Sequence, residues 1–148
     1  MLHRATPDQL DVATLYELLR LRVGVFVVEQ ACPYPELDGR DLEPSTVHLW
    51  ITGEPGDAVL GYLRLLAEGE RWRVGRVCTA RPARGTGLGR ELMRAALAEI
   101  GDAGSVLDAQ SHLAGFYGGF GYVQDGDEFL EDGIPHVPMV RPVGGGGS

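Results

Sequence analysis

The sequence predicts one domain of the α/β class, α+β in type, and three observations carry that expectation. Short alternating segments joined by tight turns fill the middle of the chain and read as an antiparallel meander. A strand then passes through a glycine-rich turn into an amphipathic helix. Beyond that helix come a further strand and two apolar-rich segments that can close the sheet as a hairpin. At 148 residues, with 44% hydrophobic and 23% charged residues, the chain has the size and composition of a globular domain with its own core. The domain is expected over residues 1–143. Gly144 to Ser148 is a Gly/Ser tail of the flexible kind used as an appended linker.

Leu2 to Ala5 opens the chain as a short strand. Thr6-Pro7-Asp8-Gln9 supplies an N-cap, a proline at the first helical position and a capping-box glutamine, so a helix is expected from about Pro7 into the low twenties. Leu15, Leu18, Leu19, Arg22 and Phe26 share one face if the period continues through Gly24. Arg22 on that face calls for a carboxylate, from Glu29 or a later acid, or else reaches water along its stem. Val25 to Asp41 is too polar and proline-broken for regular structure, and loops of such length usually have a function. Strands follow at Thr46 to Thr52, Val59 to Leu66 and Trp72 to Thr79, with turns at Glu54 to Asp57 and Glu68 to Glu70. Gly87 to Ile100 is the main helix, on the four-residue recurrence of Leu88, Leu92, Ala96 and Ile100, and Gly101 stops it. Ser105 to Gln110 reads as a fifth strand and Ser111 to Tyr117 as a short helix. Phe120 to Val123 and His136 to Val140 form the closing hairpin around an acidic insert, Asp125 to Gly133.

The turn between the third strand and the main helix, Arg81-Pro82-Ala83-Arg84-Gly85-Thr86-Gly87-Leu88-Gly89-Arg90, is the chemically informative stretch. Such a turn leaves several N–H groups unpaired at the positive end of a helix, which suits a phosphate. The Walker motif is excluded because the chain has no lysine, and the dinucleotide fingerprint fails because Arg90 stands where its last glycine belongs. Seven arginines and a single acid, Glu91, lie between Arg71 and Arg94 in a chain whose net charge is −8. A basic island in an acidic protein suits an anionic cofactor. The overall charge argues against a general nucleic-acid binder. No apolar run approaches a membrane span, and only Cys32 and Cys78 occur, so a cytoplasmic protein without a membrane role is expected. The four histidines (3, 48, 112 and 136) lack ligand spacing, and no metal site is assigned.

Arg84, Gly87 and Gly89 fit the pattern R-x-x-G-x-G, and this turn resembles the pyrophosphate loop of the GCN5-related N-acetyltransferases, the GNAT superfamily. A second segment strengthens the resemblance: Tyr117 on a short helix is followed by Gly121 and Tyr122. Gln110 stands where that family often has asparagine. Val25 to Gln30, Cys32-Pro33-Tyr34, Asp38-Gly39 and Glu131 to His136 are similar to an ElaA-like subgroup. The resemblance implies a central mixed, mostly antiparallel twisted sheet flanked by helices, with acetyl-coenzyme A as cofactor. It implies that Val77, Cys78 and Thr79 border a strand gap holding the pantetheine arm, with edge amides pairing to it and polarising the thioester. Backbone from Arg84 through Gly85, Thr86, Gly87, Leu88 and Gly89 to Arg90 would hold the pyrophosphate, with Gln110 and Tyr117 completing the cofactor contacts.

In that setting Tyr117 is the candidate general acid for the leaving thiolate. Glu29, His112, Glu131 and His136 all qualify chemically as the base, with Glu29 and His136 preferred. Phe26, Glu29, Tyr34, Asp38, His112, Glu131 and His136 are the expected acceptor contacts. The acceptor is expected to be a small-molecule or peptide amine, and the protein a monomer or homodimer. Ten carboxylates flank the expected acceptor side: Glu29, Glu36, Asp38, Asp41 and Glu43, then Asp125, Asp127, Glu128, Glu131 and Asp132. They favour a cationic acceptor. Two other readings stay open: acyl transfer in the style of acyl-homoserine lactone synthases, and a non-catalytic coenzyme A-binding module.

Overall fold

Side-chain alternation along the strands sorts the apolar residues onto two faces of one sheet, and helices cover both. The computed structural model describes residues 1–53 and 58–144; the expected turn at Glu54 to Asp57 and all but the first residue of the Gly/Ser tail lie outside the described residues. The strands are β1 (Leu2–Ala5), β2 (Val47–Thr52), β3 (Val59–Glu68), β4 (Arg71–Thr79), β5 (Ser105–Gln110), β6 (Val123–Gln124), β7 (Phe129–Glu131) and β8 (Ile134–Arg141). They pair in the order β1-β2-β3-β4-β5-β8-β6, with β7 also on β8. Every pairing is antiparallel except that of β4 with β5. Val47, Leu49, Ile51, Leu63 and Leu65 point to the face covered by α2 (Leu88–Ile100), whose Leu92, Met93, Ala96 and Ile100 are buried there. Tyr117, from α3 (Ala114–Gly118), joins the same core. On the opposite face Trp50, Tyr62 and Cys78 pack with Ala5 and with Leu18 of α1 (Val12–Val23). No helix among the described residues is long and apolar enough to cross a membrane.

Two irregularities in β4 open the middle of the sheet. Its parallel ladder with β5 consists of Trp72–Ser105 and Arg73–Val106 alone, and beyond those pairs the two strands are no longer bonded. Against β3, the register moves between Tyr62–Cys78 and Arg64–Gly75, so Arg76 and Val77 together oppose Leu63. Arg76 takes φ +55°, a left-handed conformation costing on the order of 1 kcal/mol in a non-glycine residue. The extra residue has a clear effect: Val74 enters the α2 core while Cys78 enters the α1 core. Without it, residues four apart would face the same side.

Three expected boundaries are corrected by local hydrogen bonding. The Thr6–Gln9 capping box closes only a single turn, Pro7–Gln9. Leu10 is then extended, and the true helix starts where the Asp11 carboxylate accepts from the Thr14 N–H at 2.6 Å. At its other end the period does run through Gly24, as a π-helical turn, Gly24–Glu29. Phe120 to Tyr122 is not strand: Gly121 has φ +92°, and the Tyr122 hydroxyl is drawn inward to Ser105 Oγ at 2.7 Å. The acidic insert is not merely a loop either, because β7 pairs through it to the start of β8.

The segment after α1 is fastened to the sheet by charge. Arg22, fully buried, donates to Glu36 at 2.8 Å and to Asp41 at 2.5 Å. Arg64 of β3 grips Asp38 with both terminal nitrogens, at 2.9 and 2.5 Å, and reaches Asp41 at 3.1 Å. Arg76 donates to Glu36 at 2.8 Å, and Tyr34 donates to the other Glu36 oxygen. Three guanidinium groups thus meet three carboxylates. Burial alone would raise the Asp41 carboxyl, but Arg22 and Arg64 outweigh it and hold it below the usual range. Arg64 does the same for Asp38.

Replacing Arg22 with Met leaves Glu36 and Asp41 each short of a partner, and we expect a loss of about 3 kcal/mol in urea unfolding. Because the folded Asp38 and Asp41 values are depressed, their contribution is complete above about pH 4 and fades as pH falls through the folded values. The acid-unfolding midpoint of Arg22→Met should therefore lie at higher pH than that of the parent protein.

Candidate functional site

Where β4 and β5 part, the sheet holds a crevice of about 350 Å³. One wall comes from β4 and β3: Gly75, Arg76, Val77, Arg73 and Arg64. The floor carries Leu107, Asp108 and Gln110 of β5 with Tyr117 of α3, and the β7–β8 hairpin adds Glu131, Asp132, Ile134 and His136. Phe26, Gln30, Cys32, Tyr34, Asp38 and Arg40 close it from the segment after α1. Cys32 Sγ contacts the Asp132 carbonyl at 3.4 Å, so that segment and the hairpin touch across the crevice.

Backbone donors line the open edge of β4. The Ala80 N–H is given to the Leu60 carbonyl of β3 at 2.8 Å, so by strand alternation the N–H groups of Val77 and Thr79 face away from β3. The Thr79 carbonyl lies on that open side and accepts from Arg84 Nε at 3.1 Å. Next along the chain, Gly85 and Gly87 take φ +79° and +86°, conformations that turn successive amides to one side. From Gly85 to Arg90 no backbone N–H has an acceptor among the described residues, the first intrahelical bond being Glu91 N–H to the Gly87 carbonyl at 3.2 Å. An added Cβ at Gly85 or Gly87 would meet nothing within 4 Å, so the space before these amides is open. The turn therefore presents unpaired amides of the kind that suit an anion, beside the strand gap.

The titratable groups are tuned by distinct causes. Tyr117 is mostly buried, which pushes its hydroxyl up to about 12, and that hydroxyl makes no hydrogen bond among the described residues. His136 Nδ1 lies 2.7 Å from the Ile134 carbonyl, which can only accept, so Nδ1 carries a proton and a neutral ring leaves Nε2 free as a base. Nε2 sits 3.6 Å from a Glu131 carboxylate oxygen, and the ring stacks on Phe129 at 5.8 Å.

Comparison with known proteins agrees with this geometry. The profile of the acetyltransferase (GNAT) domain matches residues 23–142. The chain belongs to the GNAT acetyltransferase family. It is 56% identical to a UPF0039 protein of Mycobacterium tuberculosis, covering 97% of this chain and 94% of that protein. Crystal structures of Escherichia coli ElaA (TM-score 0.88, 36% identity) and of an acyl-CoA N-acyltransferase from Pseudomonas aeruginosa (TM-score 0.87, 41% identity) each cover 95% of this chain and 98% of theirs. The mixed, mostly antiparallel sheet with helices on both faces is the GNAT arrangement, and the chain is an ElaA-like member.

Within this GNAT domain the structure gathers Phe26, Tyr34, Asp38, Val77, Gln110, Tyr117, Glu131 and His136 around one crevice. It sets others apart. Glu29 turns to the glycine turn instead, where both its oxygens accept from Arg84, and this pairing holds its carboxylate below the usual range. His112 is exposed and does not line the crevice. Glu36, Asp38, Asp41 and Glu43 are likewise claimed by arginines, so the early-loop acids offer no free negative field. Any attraction for a cation rests on the hairpin acids. Arg40, Arg64, Arg73 and Arg76, which sequence reasoning missed as crevice residues, line it while paired with Glu43, Glu68, Asp38, Asp41, Asp108 and Glu36. Among the described residues no group of three His, Cys, Asp or Glu side chains could hold a metal.

Cys78, expected as a cofactor contact, turns away from the gap: by the same alternation its N–H and carbonyl face β3, and its side chain is enclosed in the α1 core, where burial pushes the thiol up to about 12. At pH 8 it should carry on the order of a thousandfold less thiolate than an ordinary cysteine. Alkylation with iodoacetamide, mapped by mass spectrometry, should leave Cys78 unlabelled in the native protein and label it after denaturation.

Proposed function

We propose that the protein transfers the acetyl group of acetyl-coenzyme A to an amine by direct attack within a ternary complex. The observation that carries this reading is the continuity of an anion cradle with a strand gap that ends at an unpartnered tyrosine hydroxyl. The cradle amides from Gly85 to Arg90 would bind the pyrophosphate, with Arg84 beside them. The pantetheine arm would lie along the open edge of β4, bonding to the Val77 and Thr79 backbone as an added strand does. One of those amides would donate to the thioester oxygen as negative charge develops on it. The P. aeruginosa relative, named an acyl-CoA N-acyltransferase, supports the donor class.

An amine must lose a proton to attack and the thiolate must gain one to leave. His136 is the proposed base: Nδ1–H bonded to Ile134 fixes the tautomer, and Glu131 stabilises the imidazolium that forms. Glu29 is unsuited to that part while Arg84 holds it. Tyr117 is the proposed donor to sulfur. A phenol near 12 keeps its proton throughout the working pH range, as a donor must. Being more basic than a thiol, at ~8.5, it would stabilise the thiolate chiefly through a hydrogen bond.

Two measurements test the reading. Gly87→Asp keeps a residue type that tolerates the left-handed backbone but sets a carboxylate in the cradle. Calorimetry should show coenzyme A binding largely lost while thermal unfolding stays cooperative; unchanged affinity would place the cofactor elsewhere. Tyr117→Phe should lower kcat for acetyl transfer by a factor on the order of 10²–10⁴ without weakening coenzyme A binding. A change within about threefold would hand proton delivery to water.

A further inference from the structure

Each of the four arginines lining the crevice leaves one nitrogen without a protein partner among the described residues. Arg40 spends Nε on Glu43 and Nη1 on Glu68, leaving Nη2. Arg73 spends Nε on Glu68 and Nη1 on Asp108, again leaving Nη2. Arg76 spends Nε and Nη2 on Glu36 and Asp38, leaving Nη1. Arg64 spends both terminal nitrogens on Asp38 and Asp41, and its Nε is buried and unbonded in a side chain only 3% exposed. The Arg40, Arg73 and Arg76 side chains are 33%, 32% and 23% exposed and leave their spare nitrogens open to a ligand, whereas Arg64 Nε is enclosed.

The arrangement of the acids adds direction. Glu36, Asp41, Glu43 and Glu68, which hold these guanidinium groups, do not themselves line the crevice. At this end the crevice wall presents four guanidinium groups against two carboxylates, Asp38 and Asp108. The hairpin end reverses the sign, with Glu131 and Asp132 and no arginine. The lining thus changes along the crevice, from guanidinium groups paired with carboxylates but holding spare donors toward β3 and β4, to carboxylates without an arginine beside His136.

From this we infer that the acceptor is amphoteric, an amine that also carries a carboxylate, as in an α-amino acid. Its ammonium is drawn to the Glu131, Asp132 and His136 end, where it is deprotonated. Its carboxylate takes the spare donors of Arg40, Arg73 and Arg76, each a charge-assisted hydrogen bond to one carboxylate oxygen. A crevice of about 350 Å³ matches a small molecule better than a folded protein surface. This inference rests on the acyl-transfer reading for the amine's fate, but not for the anion's binding.

The experiment uses the full chain and matched pairs that differ only by the carboxylate: histidine with histamine, ornithine with putrescine, phenylalanine with phenethylamine. With acetyl-coenzyme A, thiol release and product mass should favour at least one amino acid over its decarboxylated partner by tenfold or more in kcat/KM. Arg73→Gln and Arg40→Gln, at partly exposed positions that tolerate the change, should shrink that ratio by raising KM for the carboxylate member. Calorimetry of the same pairs in the presence of free coenzyme A reads the subsite without turnover. Tighter binding of the amino acid, weakened in both variants, supports the anion subsite even if no amine is acetylated, in which case only the transferase reading falls. Decarboxylated partners that bind and react as well or better, or ratios indifferent to both arginine changes, overturn the amphoteric acceptor.

Discussion

The meeting of Arg22, Arg64 and Arg76 with Glu36, Asp38 and Asp41, buried at Arg22, Arg64, Glu36 and Asp41, is the constraint on which the crevice depends. The segment between α1 and β2 has little regular structure to hold it, only a π-helical turn and one short 3₁₀ turn at Arg40–Leu42. Yet it forms a wall of the crevice. What fixes it is an ion network drawing one arginine from α1, one from β3 and one from the β4 bulge. Isolated, each buried charge would be prohibitively costly; with three opposite charges interleaved, each carboxylate has at least two donors. Burial works against the Arg22 charge, but Tyr62, Asp41 and Glu36 overcome it and raise its pKa.

The β4 bulge joins this network to the chemistry. Arg76 accepts a left-handed backbone and sends its guanidinium to Glu36 and Asp38, while its neighbour Val77 lies on the edge of the gap. The same irregularity that re-aims the strand's side chains thus anchors the crevice wall formed by the segment after α1 and shapes the strand edge. A second ion pair, Glu29 with Arg84, ties the end of the π-helical turn to the glycine turn. That crevice wall and the glycine turn are therefore connected through the two ends of one segment.

Much was legible in order along the chain because it rests on local rules. The period of Leu88, Leu92, Ala96 and Ile100 and the glycines before it specify a helix and a donor-rich turn whatever surrounds them. Tyr117, Gln110 and His136, which a motif position or a strand end names, do line the crevice. Charge was the misleading signal. The early-loop acids count as free negative charge in a list, but Glu29, Glu36, Asp38, Asp41 and Glu43 each have an arginine against them in space. His112 failed for a related reason: its place in the first turn after β5 is a local fact, whereas its outward direction depends on packing.

By itself, then, the sequence determined the order of the main strands and of the long helix, the donor-rich turn before that helix and the family to which the chain belongs, since these follow from short-range periodicity, backbone sterics and motif spacing. Tertiary structure alone decided which charges cancel and which remain. Pairings such as Arg4 with Glu99 or Arg76 with Glu36 join residues 95 and 40 positions apart, and no local rule selects one partner over another. It also decided the bulge, because the choice between facing α1 and facing α2 is made by what the opposite strand presents. Which donors and acids in the crevice stay unpaired is the sum of those long-range choices, which is why it appears only once the chain is folded.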